Sequence, residues 1–100
     1  MKNKNLNKLI EYPKSGVLSK EIVKNKGENI TLFCMAKGTE IGEHTSTKKA
    51  FVHVLEGEGI FTLKGKKIKM LPGIFIQMEN NAVHSLKAIK NTSFMLYLIK

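Results

Sequence analysis

The chain contains no arginine, no aspartate and no tryptophan, and only one cysteine. Without aspartate there is no Ser-His-Asp relay. Without arginine all 17 cations are lysines, and the net charge of +9 has no bidentate fork behind it. A basic balance suits nucleic acid or an acidic membrane surface, but paired reading of guanine or phosphate is arginine chemistry. The five Phe and two Tyr are scattered and form no base-stacking set. The charge therefore reads as a solvated lysine surface, with no nucleic-acid partner. Cys34 stands alone, so no intramolecular disulfide is possible, and in the apolar run Ile30–Ala36 it reads as a buried, inert thiol. The opening MKNKNLNKLIEY lacks a signal-peptide apolar run, and no stretch reaches membrane length. A free thiol and no disulfide suit a reducing compartment, so a cytoplasmic protein without a membrane partner is expected. No phosphate-cradling or dinucleotide glycine pattern occurs.

What is present is a series of short apolar runs separated by turn signals. Residues 1–16 are polar and close on Pro13-Lys14-Ser15-Gly16; Leu6, Leu9 and Ile10 at helical spacing allow one short helix or a docked arm. Strands are predicted over 17–24, 30–36, 51–56, 60–63, 68–71, 74–78, 84–89 and 93–99. Lys64-Gly65-Lys66 marks a hairpin, and Glu79-Asn80-Asn81 a turn whose asparagines tolerate positive φ. This rhythm predicts an all-β sandwich or barrel, with residues 1–29 as arm and first strand and 30–100 as the barrel proper. Runs such as 30–36 and 51–56 are apolar on both faces and need cover on both sides. A barrel of this size cannot cover its own outside, so a homodimer is expected, through some of Phe33, Phe51, His53 and Leu55.

Two histidines share the inward parity. His84 is in phase with Leu86 and Ala88; His44 is in phase with Ser46, Ala50, Val52 and Val54 if no bulge intervenes. Inward imidazoles from separate strands are metal-ligand material, or else two buried rings bonded to backbone. His53 is one step out of phase with Val52 and Val54, and is expected to face outward.

The spacing around these histidines resembles that of the cupins, specifically small single-domain conserved-barrel members. Gly38 is followed by five residues, His44-Thr45-Ser46, three residues, Ala50, six residues and Gly57; Gly73 is followed by five residues, Glu79-Asn80-Asn81, two residues, His84, three residues and Ala88. The run VLEGEG with the following FTL is similar as well. The resemblance implies an antiparallel double-stranded β-helix, or jelly-roll, over about residues 30–100. It also implies a site built on three histidines and a glutamate around one divalent metal. Here His44 and His84 match the first and last histidines, Ser46 stands where the second would be and Ala50 where the glutamate would be. The position of Gln77 often looks into the barrel in cupins, and Phe75 shares its parity, so Ser46, Gln77 and Phe75 are expected around the ligand.

Two histidines fall short of the three protein ligands usual for zinc. The leading expectation is a module that binds a small organic molecule between His44 and His84, or holds a divalent ion (Zn, Ni, Mn or Fe) weakly. The alternatives are a metal-dependent oxygenase or isomerase whose coordination is completed by water, substrate or Gln77, and a non-catalytic dimeric sensory module.

Overall fold

The computed structural model describes residues 3–99; the outer limits of the two predicted segments, residues 1 and 100, lie outside them. One helical turn, α1 (Leu6–Leu9), precedes nine strands: β1 (Val17–Lys24), β2 (Glu28–Met35), β3 (Glu40–His44), β4 (Lys49–Glu56), β5 (Gly59–Leu63), β6 (Lys66–Met70), β7 (Phe75–Met78), β8 (His84–Ala88) and β9 (Thr92–Ile99). The strand missed by alternation is β3, because its Glu40-Ile41-Gly42-Glu43-His44 run is polar on three of five positions. All strand pairings are antiparallel. They form a five-stranded sheet ordered β1-β2-β9-β4-β7 and a four-stranded sheet ordered β3-β8-β5-β6.

Period-two alternation puts one face of each sheet into a shared interior. From the larger sheet come Met35, Ala50, Val52, Val54, Ile76, Met78 and Phe94; from the smaller, Phe61, Met70, Leu86 and Ala88. Turn chemistry sets the hairpins: Lys64 and Gly65 both take positive φ, of 50° and 81°, as a two-residue turn between β5 and β6 demands. Gly57, at φ 104°, is required for a second reason. A Cβ there would overlap the Asn91 carbonyl oxygen and come within 2.5 Å of Thr92 Cα.

The outer face of the larger sheet is half covered by the chain itself. Leu32, Cys34 and Met95 point away from the interior yet are fully buried, beneath Leu6, Leu9, Ile10 and Tyr12 of the arm. Asn5 caps the single helical turn by accepting from the Asn7 amide at 3.1 Å. The Tyr12 hydroxyl donates to Glu56 at 2.6 Å, clipping the arm to the end of β4. Burial and this carboxylate together hold the phenol well above its ordinary ionisation range. The other half of that face, around Phe51, Phe75, Tyr97 and Ile99, carries no such cover from the described residues. There the rings of Phe51 and Phe75 stack with centroids 5.7 Å apart. Phe33 does not belong to this outer face, contrary to its sequence-based placement. Its phase on β2 turns it inward, where it stacks on Phe94 at 5.3 Å.

Candidate functional site

A cavity of about 210 Å³ opens between the sheets, lined by His44, His84, Met78 and hydrocarbon side chains including Phe33, Phe61 and Phe94. The histidines arrive from neighbouring strands. His84 begins β8 and His44 ends β3, directly opposite in register, and their ring centroids lie 4.0 Å apart at 60°. His84 is the deeper of the two, at 6% exposure, whereas His44 sits exposed at the rim.

A β-bulge aims His44. Between the Ile41–Leu86 and His44–His84 pairs, β3 advances three residues while β8 advances two. Gly42 and Glu43 absorb the extra residue, so Ile41 and His44 both reach the cavity despite opposite parity. The bulge also supplies the carbonyl of Gly42, 2.8 Å from His44 Nδ1. Two residues before His84, in the turn leading into β8, the Ala82 carbonyl lies 2.9 Å from His84 Nδ1. A carbonyl can only accept, so each Nδ1 carries a proton, and the neutral form of each ring then keeps its lone pair on Nε2. Two backbone oxygens thus fix two tautomers, the outer-shell arrangement that prepares imidazoles to bind an electrophile.

His84 is held neutral. Burial lowers its pKa below the ordinary 6.5, the Ala82 carbonyl opposes that shift, and repulsion from a charged His44 adds to it. Its ring is stacked with that of Phe61, with centroids 5.7 Å apart and planes 3° from parallel.

Three sequence-based placements are corrected. Gln77 and Phe75 do not look into the barrel. β7 pairs with β4 so that Ile76 and Met78 stand opposite the inward Val52 and Ala50, and cross-strand partners share a face. Gln77 is consequently exposed and Phe75 is 60% exposed on the outer surface. Ser46 lies in the loop after β3 rather than in the cavity lining. Its hydroxyl accepts from the Lys48 amide at 3.2 Å, and its carbonyl accepts from the Asn81 amide at 2.6 Å. It therefore ties together the loops that carry the two histidines. Met78 is a cavity residue that sequence reasoning missed, as are Ile41 and Phe33, the latter expected on the outer face; the alternation Ile74, Ile76, Met78 signalled the methionine, but Phe75 obscured the phase.

Among the described residues no three of His, Cys, Asp or Glu converge on one point. His53 faces outward on β4, paired with Phe75, and Ala50 is buried in the core without a ligand atom. The donor set therefore does not fit a four-ligand divalent centre. A larger depression, about 450 Å³, lies on the outer face of the four-stranded sheet among Glu40, Glu43, Lys67 and Lys87. Its charged groups are solvated, and Lys87 and Glu40 already pair at 3.6 Å. It offers no buried polar atom to orient a ligand, so the histidine cavity is the better candidate.

Comparison with known proteins agrees with this architecture. A conserved protein of unknown function from Streptococcus pyogenes superposes with a TM-score of 0.89 at 28% identity, covering 99% of this chain and 87% of that one. A cupin 2 conserved barrel domain protein from Leptotrichia buccalis gives 0.90 at 28% identity, over 97% of this chain and 47% of that one. A cupin superfamily protein from Desulfitobacterium hafniense gives 0.88 at 22% identity, over 94% and 86%. No curated protein matches the chain. With residues 31–100 matching the cupin domain family model, and with the jelly-roll topology above, the chain belongs to the cupin family.

Proposed function

We propose that this cupin barrel is a binding module for one small, mainly apolar organic molecule that carries a hydroxyl group. The observation behind this reading is the pair of Nδ1–carbonyl bonds, which present two Nε2 lone pairs in an otherwise apolar cavity. Two acceptors and no donor call for a ligand that brings its own O–H, such as a phenol or catechol. A volume of about 210 Å³ suits one substituted aromatic ring, since an engineered apolar cavity of roughly 150 Å³ takes benzene. Phe33, Phe61 and Phe94 supply the walls. Divalent Zn, Ni, Mn or Fe would meet only two imidazoles, and binding should be weak.

The test is calorimetric or NMR titration of metal-free protein with phenol and with toluene. Phenol should bind about tenfold more tightly, the value of one net hydrogen bond of about 1–1.5 kcal/mol. His84→Phe should erase the difference. Equal affinity for the two compounds would sink the reading.

We further propose that two copies associate through the outer half-face of Phe51, Phe75, Tyr97 and Ile99. Support comes from the stacked rings, the 60% exposure of Phe75 and the adjoining arm-covered half, which shows that this face needs apolar cover.

A further inference from the structure

We propose that the cavity is selective for monovalent copper, with the Met78 thioether as its third donor beside His44 and His84. The inference uses the same imidazole pair as the binding reading above but does not need an organic ligand.

Of the ten side chains lining the cavity, only these three carry a heteroatom; the remaining seven are hydrocarbon. The lining contains no carboxylate, and Glu43, beside His44, is exposed and outside it. A metal ion bound here would find no counter-charge in the lining, and only the rim at His44 opens to solvent. The solvation cost of a buried ion rises with the square of its charge, so a dication loses about four times as much as a monocation. Neutral ligands leave that difference uncompensated.

The donor types point the same way. Thioether sulfur is a soft ligand that favours Cu(I), and imidazole suits copper in either state. Closed-shell Cu(I) is content with two or three ligands, where zinc in proteins wants four positions filled. The fold brings the thioether into the same cavity lining as both imidazoles. Met78 ends β7 on its inward face, and a short turn joins it to His84. Its cross-strand partner on β4 is Ala50, whose small side chain leaves room for the long, flexible methionine. Cys34, the other sulfur of interest, lies on the opposite face of the sheet beneath the arm and takes no part.

The experiment uses the natural sequence purified without an affinity tag, handled anaerobically. Cu(I) is supplied as its acetonitrile complex in competition with bicinchoninate; Zn(II) is titrated separately. One equivalent of Cu(I) should be withdrawn from the chelator, with copper-edge X-ray absorption showing one sulfur among nitrogen neighbours. Met78→Leu, a nearly volume-conserving change, should weaken Cu(I) at least tenfold and leave the weaker Zn(II) affinity unchanged. Cys34→Ser should change neither, and His84→Leu should abolish copper binding. Failure to take up Cu(I), unchanged Cu(I) affinity in Met78→Leu, or tighter binding of Zn(II) than Cu(I) would each overturn the proposal. Because copper and a phenol would compete for the same Nε2 atoms, phenol binding without copper binding removes the copper site alone. Loss of both removes the binding reading as well.

Discussion

His44 and His84 face each other across one strand pair at 4.0 Å, but only His84 is withdrawn from solvent. The buried ring is the one whose protonation the fold resists, because burial and the neighbouring imidazole both disfavour its charged form. Its folded pKa lies below the unfolded value of 6.5, so the unfolded chain binds the proton first as pH falls. The stabilisation is therefore present above pH 6.5 and is lost on acidification through the folded pKa. Urea denaturation of metal-free protein from pH 7.5 downward should show this decline. His84→Gln should flatten it between pH 6.5 and the acid limb set by carboxylates. An unchanged slope would mean that another group carries the effect.

The arm is the second part of the molecule whose removal should have a sharp readout. Leu32 and Met95 are fully buried beneath residues 6–12, and burial of such side chains contributes about 1.5–3 kcal/mol each. A chain beginning at residue 13 should lose several kcal/mol of stability and expose the Cys34 thiol to a maleimide that leaves the whole protein untouched. Tyr12→Phe is the milder probe. It removes the hydroxyl bond to Glu56, worth about 1–2 kcal/mol for a charged acceptor that remains solvated. Because the phenol's pKa is raised on folding, the stabilisation it provides is complete below pH 10 and falls above it; Tyr12→Phe should lessen that alkaline decline. Slow maleimide reaction in the truncated chain would show that something else buries Cys34.

The uncovered half-face sets a third expectation. If Phe51, Phe75 and Tyr97 meet their counterparts in a second copy, Phe75→Asp places two carboxylates in the contact and should dissociate it. Sedimentation velocity at tens of micromolar should find a dimer for the natural sequence and a monomer for Phe75→Asp, with unchanged circular dichroism. Because Phe75 is already 60% exposed, the monomer itself should lose little stability. A monomer for both would remove the interface.

Much of the fold was legible because alternation is a short-range signal. Ala50, Val52 and Val54 turn inward and Phe51 and His53 outward as their parity requires. In the site, parity placed His84 inward with Leu86 and Ala88, as the structure has it, whereas His44 was legible through spacing rather than parity. His44 reaches the cavity because a bulge shifts β3 by one residue, and nothing in Gly42-Glu43 announces a bulge except the glycine. For β7 the ambiguity was different: Phe75 and Ile76 are both apolar, so either phase buries something. Only pairing with Ala50 and Val52 decides that Met78, not Gln77, enters the interior. The sequence allowed a docked arm at Leu6, Leu9 and Ile10 but not where it docks, because its partners, Leu32 and Met95, lie some 20 residues or more away along the chain, beyond any local pattern.

Ala50 offers the most direct way to exchange one metal preference for another. It is 1% exposed, shares its inward face with the cavity residue Val52, and stands opposite Met78. In the cupin pattern this position carries the carboxylate that balances a divalent ion. Ala50→Glu would put a carboxylate among apolar neighbours, at a cost of about 1–3 kcal/mol from overpacking alone, with further loss from desolvation. Metal-free Ala50→Glu should therefore melt at a lower temperature than the natural protein. Zinc should then return what the carboxylate took, because a ligand present at 100 times its Kd stabilises the folded state by about 2.7 kcal/mol. The natural protein, with two imidazoles and no counter-charge, should show almost no shift at the same zinc concentration. Paired melting curves with and without zinc decide the matter. If zinc leaves Ala50→Glu as unstable as it finds it, position 50 does not address the histidine pair, and charge balance is not what limits divalent binding in this barrel.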